Sequence, residues 1–327
     1  MNGTTVLIAR GLRLRPQPVG IFVPPVSFLL LPDRADRRAL DALMAGDTQA
    51  ALQGEWRFYH LALLGRLEEA AQLLATDPTP VGQYNRFVLA PSQTSYFTLR
   101  AALPVGLEPL LDAVAFASGL TDTAPGKEEC EACGLDAELL AIVLSVRASQ
   151  ELEQQQSATA AELLTQAIDH VHRVSPLFAA QLLYQLALLQ QQTEPQLALT
   201  TYREAIRQAG ATPLTSLRAE LWLHLGILFQ DLANGQREVL IEAIKAYQEA
   251  LRTGLSADSH PEMYALAHNN LALAYLAMPM RDTSDQLRMG IAVQSLREVL
   301  RIYRRETHRE RWSAAQLNLA NALQYLP

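Results

Sequence analysis

The chain has 327 residues, 49 % of them apolar and 19 % charged, a balance that excludes intrinsic disorder and leaves room for one large or two ordinary globular domains. Its formal net charge of −7 excludes a general affinity for nucleic-acid phosphates, and 6 % aromatic content beside abundant Leu, Ala and Gln favours helices over sheets. Two cysteines cannot build a disulfide framework, so a cytoplasmic location is expected.

Residues 1–32 come first, with β-like apolar stretches at Thr4 to Leu14 and Val19 to Leu31 punctuated by proline. The second stretch contains Pro24 and Pro25 and is too short to span a bilayer as a helix. Arg10, Arg13 and Arg15 precede it, but no small-residue cleavage site follows, which argues against a signal peptide. A small β or irregular amino-terminal cap is the expectation, with the apolar run in a core.

Residues 33–156 read as a divergent helical region. Gly46-Asp47-x2-Ala50 and Gly65-Arg-Leu-Glu-Glu-Ala70-x3-Leu74 look like entries into the second helices of hairpins. Val105 to Ser118 and Asp136 to Gln156 also have helical character, the latter with Asp136 as N-cap ahead of Leu139, Leu140, Val143, Leu144 and Val146. Between them Cys130-Glu-Ala-Cys133-Gly134 carries the only spacing with chemistry in it. A redox pair of this type sits at a helix N-terminus beside a sheet, whereas the context here is all-α. Zinc or an iron–sulfur cluster needs about four ligands, which only a second chain or a distant residue such as His60 would complete. A structural thiol pair, a metal site at Cys130 and Cys133, and no cofactor at all therefore stay open.

Residues 157–327 repeat themselves. Trp222-x2-Leu225-Gly226-x2-Phe229 is followed by Ala243-x3-Tyr247-x2-Ala250, and the same skeleton recurs on both sides. Leu186-Ala187, Leu225-Gly226, Leu271-Ala272 and Leu319-Ala320 mark four first helices. Ala160-x3-Leu164-x2-Ala167, Ala198-x3-Tyr202-x2-Ala205, Ala243-x3-Tyr247-x2-Ala250 and Ala292-x3-Leu296-x2-Val299 mark four second helices. A small residue in each helix lets two backbones approach while a large one fills the facing groove. This pattern resembles the tetratricopeptide repeat, and the resemblance implies an all-α solenoid of helical hairpins. The small positions of the first helices are 39, 46 and 48 residues apart, longer than the family's repeat of about 34. The extra residues fall in turn-rich segments such as Asn234-Gly235 and Met278 to Asp285.

The resemblance further implies that first helices line a concave groove and that the residue before each Leu-small pair faces into it. That column reads Gln185, His224, Asn270 and Asn318, with Gln181, Tyr184, Glu220, Asn269, Asn321 and Gln324 beside it. Carboxamides both donate and accept, so such a column suits the backbone of an extended peptide. The competing reading is that these are simply the solvated faces of amphipathic helices. The groove column lacks the Lys and Arg that a carboxylate-binding groove needs. The stretch from Arg281 to Arg311 also holds Arg288, Arg297, Arg301, Arg304, Arg305 and Arg309. Asp282, Asp285, Glu298, Glu306 and Glu310 are interleaved with them, which reads as a solvated face. His170-Val-His172 places two rings about 200° apart on a helix, wrong for joint ligation.

No phosphate loop, nucleophile elbow or zinc-protease helix is present in the sequence, so no enzyme is expected. The leading expectation is a scaffold or assembly factor holding a protein or peptide partner, with neither nucleic acid nor membrane as partner. One alternative is a metal- or redox-linked accessory protein for a client metalloenzyme, working through Cys130 and Cys133. The other is a homo-oligomeric structural protein, for instance a homodimer through the helix from Arg311 onward, whose apolar Leu317, Leu319, Leu323 and Leu326 have no second helix to cover them.

Overall fold

The computed structural model describes residues 28–30, 54, 57–103, 107–126, 137–173, 175–210, 215–279 and 285–326. All but residues 28–30 of the cap expected over residues 1–32, the segment at Gly46 and both cysteines lie outside them. The described residues form helices and no strand. In chain order the helices are α1 (Arg57–Leu63), α2 (Leu67–Leu73), α3 (Pro80–Leu89), α4 (Gln93–Ala102), α5 (Glu108–Ala117), α6 (Ala137–Glu153) and α7 (Ser157–Val171). There follow α8 (Pro176–Thr193), α9 (Pro195–Ala209), α10 (Thr215–Leu232), α11 (Arg237–Thr253), α12 (Pro261–Ala277), α13 (Asp285–Ile302) and α14 (Arg309–Leu323). Proline opens α3, α8, α9 and α12, where its missing N–H is one the helix would leave unpaired anyway.

Two compact units share the chain, one made of residues 1–190 with 207–214 and the other of residues 191–206 with 215–327. In the first unit consecutive helices pack from α1 to α5, and α6 pairs with α7. Its core joins Tyr59, Tyr84, Phe87, Leu110, Leu139 and Leu164 to the short segment Phe28-Leu29-Leu30, whose side chains are at most 2 % exposed. That segment is held by its backbone. The Leu30 N–H donates to Asn85 Oδ1 at 2.8 Å, and Asn85 Nδ2 donates to the Leu30 carbonyl at 2.8 Å. The Tyr84 hydroxyl donates to the Phe28 carbonyl at 3.2 Å. One buried carboxamide thus does for Leu30 what a neighbouring strand would do, and the apolar run expected in a core is there over these three residues.

Helices α3 and α4 fall in the region expected to be helical, but no individual helix is expected at either place. Their signals are local: Thr79 caps α3 by accepting from the Gly82 N–H at 3.0 Å just ahead of Pro80, and Ser92 caps α4 by accepting from the Ser95 N–H at 3.3 Å. Between α6 and α7 the chain turns through Gln155 at φ 62°, a left-handed conformation that costs a side-chain-bearing residue about 1–2 kcal/mol. Asn234 and Gly235, at φ 42° and 78°, make the corresponding turn between α10 and α11, where their residue types suit it.

In the second unit α10 pairs with α11, α11 packs on α12, α12 pairs with α13 and α13 with α14, while the first helices α10, α12 and α14 also touch in sequence. Each of the eight repeat segments falls on one helix from α7 to α14. The small and large positions of the second helices are sealed: Ala198, Tyr202, Ala205, Ala243, Tyr247, Ala250, Ala292 and Leu296 are all 0 % exposed. First helix α10 buries residues around most of its circumference, whereas α11 buries one stripe and presents Glu238, Lys245 and Arg252 outward.

The seat of the α10–α11 pair is explicit. A Cβ on Gly226 would stand 2.6 Å from Tyr247 Cε1, so glycine is what lets the ring lie against the α10 backbone. The Tyr247 hydroxyl then donates to Gln230 Oε1 at 2.9 Å, one turn beyond Gly226. In the preceding pair Tyr202 donates to Gln191 Oε1 at 3.1 Å, one turn beyond Ala187. In the following pair both positions are leucines, Leu276 and Leu296, leaving no hydroxyl to satisfy. Tyrosine with glutamine, or leucine with leucine, is the pairing rule of these hairpins.

Candidate partner-binding groove

The first helices carry the column read from sequence, and the structure places its members unequally. His224, Asn270 and Asn318 are half-buried on α10, α12 and α14, with Glu220 and Asn269 half-buried and Asn321 and Gln324 exposed beside them. Burial pushes the His224 imidazole pKa down, which keeps it neutral at neutral pH. The Asn269 Nδ2 donates to Asn270 Oδ1 at 3.3 Å, and Asn270 also lies near the Tyr247 hydroxyl. Gln181, Tyr184 and Gln185 belong to the other compact unit. Gln185 is exposed, but Gln181 is 3 % and Tyr184 9 % exposed, so they are enclosed rather than displayed. Neither amide atom of Gln181 has a hydrogen-bond partner among the described residues.

Between α12 and α14 the second unit opens a cleft of about 300 Å³. Glu262, Met263, Leu266 and Asn269 line it from α12, Arg311 and Ala314 from α14, and Tyr303 from the turn after α13. The α12 set falls at i, i+1, i+4 and i+7, one face of a helix. Leu266 is 39 % exposed, a large apolar side chain left open in the floor. Asn269 is the one cleft residue that the sequence column contained. The others escaped it because they sit one and two turns earlier on the helix, or on a loop that only the fold brings alongside.

The amino-terminal end of the cleft is closed by charge. Glu262 accepts a short hydrogen bond from Arg311 Nη1, has His308 Nε2 3.1 Å from Oε1, and accepts from the Tyr303 hydroxyl at 3.4 Å. Arg311 also donates to the Tyr303 hydroxyl at 3.3 Å, and its guanidinium carbon lies 5.2 Å from the centre of that ring. Tyr303 itself is 5 % exposed, packed with Ala265, Val299 and Ala315. Its burial, reinforced by the Glu262 carboxylate, pushes the phenol pKa up and keeps it a hydrogen-bond donor. Both partners of the Arg311–Glu262 pair are more than half exposed, so the pair contributes at most about 1 kcal/mol to stability. Its clearer effect is that the two charges cancel at the cleft mouth.

Elsewhere in the basic stretch, Arg301 pairs with Glu298 at 2.7 Å, and Arg305 lies over the Trp312 ring at 5.9 Å. Of the residues to which the sequence assigned a homodimer contact, Leu317 and Leu323 on α14 are 64 and 45 % exposed, while Leu319 and Leu326 are half-buried. Among the described residues no group of three or more His, Cys, Asp or Glu is placed to hold a metal ion, and no helix is long and apolar enough to cross a membrane.

No protein-family model matches this chain, and neither does any curated protein. Among solved structures it is similar to a chain of the APC/C hetero-tetramer Cut9-Hcn1, at 18 % identity and a TM-score of 0.45, covering 87 % of this chain and 52 % of that one. It is also similar to BtubC (BKLC) from P. vanneervenii, at 16 % identity and a TM-score of 0.43, covering 82 % and 92 %. The chain thus spans about half the length of the first of these. Eight successive helices that each carry one repeat segment, with α10 to α14 packed consecutively and the first helices α10, α12 and α14 touching in sequence, make this an all-α, tetratricopeptide-like helical-repeat protein in fold.

Proposed function

We propose that the protein is a cytoplasmic scaffold that holds a partner protein by an extended segment laid along α12 and α14. The observation that carries this reading is the cleft itself: an apolar floor of Met263, Leu266 and Ala314 with the carboxamide of Asn269 in its lining, and Asn270 and Asn318 half-buried further along the same two helices. A floor of this kind takes a side chain, and bordering amides take the backbone on either side of it. The chain already uses that chemistry internally, where Asn85 holds both backbone groups of Leu30 while apolar side chains fill the core around it. At about 300 Å³ the cleft is at the lower end of ligand pockets, the size of an anchor residue rather than of a cofactor.

The test is photocrosslinking. Benzoyl-phenylalanine placed at Ala314, inside the cleft, is compared with the same group at Gln316, about 200° around the same helix. Partner protein from the native cell extract is expected to crosslink at position 314 and not at 316. Crosslinking at 316 alone would reject the groove.

A further inference from the structure

The mouth of the cleft holds one carboxylate and one guanidinium, and they are spent on each other. Glu262 on α12 takes hydrogen bonds from Arg311 on α14 and from Tyr303, and His308 lies beside its other oxygen. Neither charge is left over for a ligand. The floor behind them is apolar, and the remaining polar lining is the neutral amide of Asn269.

We propose that this ion pair sets the specificity of the groove: the partner is an extended, uncharged segment that inserts one large apolar side chain beside Leu266, and charged segments are rejected because they would have to break the Glu262–Arg311 pair. The inference rests on the proposed groove and adds the chemistry of its occupant. A ligand carboxylate approaching Arg311 meets Glu262, and a ligand ammonium approaching Glu262 meets Arg311, so each gains one attraction and one repulsion at nearly the same distance. An apolar side chain meets neither, and removes Leu266 from water. The backbone of such a segment needs donors and acceptors in alternation; the carboxamide of Asn269 supplies them within the cleft, and a segment that continues along α12 and α14 reaches those of Asn270 and Asn318. The segment Phe28-Leu29-Leu30, uncharged and bound through Asn85, is an intramolecular example of the same class of occupant.

The pair can be opened from either side with little risk to the fold, because both side chains are more than half exposed. Removing one member leaves the other charge facing the cleft. The experiment selects peptides from a random dodecapeptide display library on the immobilised full chain and on four variants, Glu262→Ala, Arg311→Ala, the exchanged pair Glu262→Arg with Arg311→Glu, and Leu266→Asp. The wild-type chain should select peptides with one conserved large apolar residue and no charged residue within two positions of it. Glu262→Ala should enrich Asp and Glu at those positions roughly three- to tenfold, and Arg311→Ala should enrich Lys and Arg to the same degree. The exchanged pair should return to the wild-type selection. Charged residues selected by the wild-type chain, or an unchanged selection by both single variants, overturns the specificity proposal alone. A Leu266→Asp chain that selects the wild-type peptides, or a wild-type chain that selects none, overturns the groove reading beneath it.

Discussion

Replacing Tyr247 by alanine is expected to destabilise the second unit by about 3–5 kcal/mol, the range for emptying a fully buried aromatic site. Tyr247 is 0 % exposed and lies against the α10 backbone at Gly226, so its loss opens a cavity between α10 and α11. The loss separates into parts that two milder variants isolate. Tyr247→Phe keeps the ring and removes the hydroxyl that Gln230 accepts from at 2.9 Å, for about 1 kcal/mol. Gly226→Ala inserts a methyl 2.6 Å from the ring, an overpacking cost of about 1–3 kcal/mol. Better helix propensity returns about 1 kcal/mol of that. The checking measurement is urea unfolding followed by far-ultraviolet circular dichroism on the full chain. A Tyr247→Ala midpoint within experimental error of wild type would remove the pairing rule proposed for these hairpins.

The second large effect is on binding. Changing Asn270 and Asn318 to alanine together should weaken a groove-selected peptide by roughly ten- to a hundredfold, because each carboxamide lost takes about 0.5–1.5 kcal/mol of net hydrogen bonding with it and leaves ligand backbone groups unpaired. Stability should change little. Asn318 is half-buried with no side-chain partner among the described residues, and Tyr247, which Asn270 also contacts, keeps its bond to Gln230. Fluorescence anisotropy of the labelled peptide reads the affinity, and circular dichroism reads the fold. Loss of both together would mean that the amides serve packing and not recognition.

The repeat was legible because its physics is local. An alanine or glycine four residues from a leucine or tyrosine states where two helices touch, and the residues so marked in α9, α11 and α13 are sealed from water. Helices α3 and α4 went unread although Thr79 before Pro80 and Ser92 before Gln93 announce them, since their apolar faces follow no repeat. The proposed cleft is less legible. The column of one position per first helix, Gln185, His224, Asn270 and Asn318, is displayed or half-buried, but the positions taken beside it include Gln181 and Tyr184, which burial encloses. It missed Glu262 and Leu266, at the start of α12, and Tyr303 and Arg311 beyond it. Glu262 and Arg311 are 49 residues apart in sequence, and pairing at that distance is fixed by how α12 and α14 pack, not by any spacing a sequence displays. The acids interleaved with Arg311 in sequence lie in its own stretch, whereas the carboxylate it pairs with is on another helix.

The central claim, that a partner's apolar side chain is held between α12 and α14, is tested most directly by the affinity of one groove-selected peptide for three full-length chains: wild type, Leu266→Asp, and Leu152→Asp as a control. Leu152 is 41 % exposed on α6, close to the 39 % of Leu266, so the two substitutions are matched in burial and differ in place. The account predicts binding at least about tenfold weaker for Leu266→Asp, through loss of the apolar contact and the cost of desolvating a carboxylate, with Leu152→Asp unchanged. Equal affinities for wild type and Leu266→Asp would contradict it.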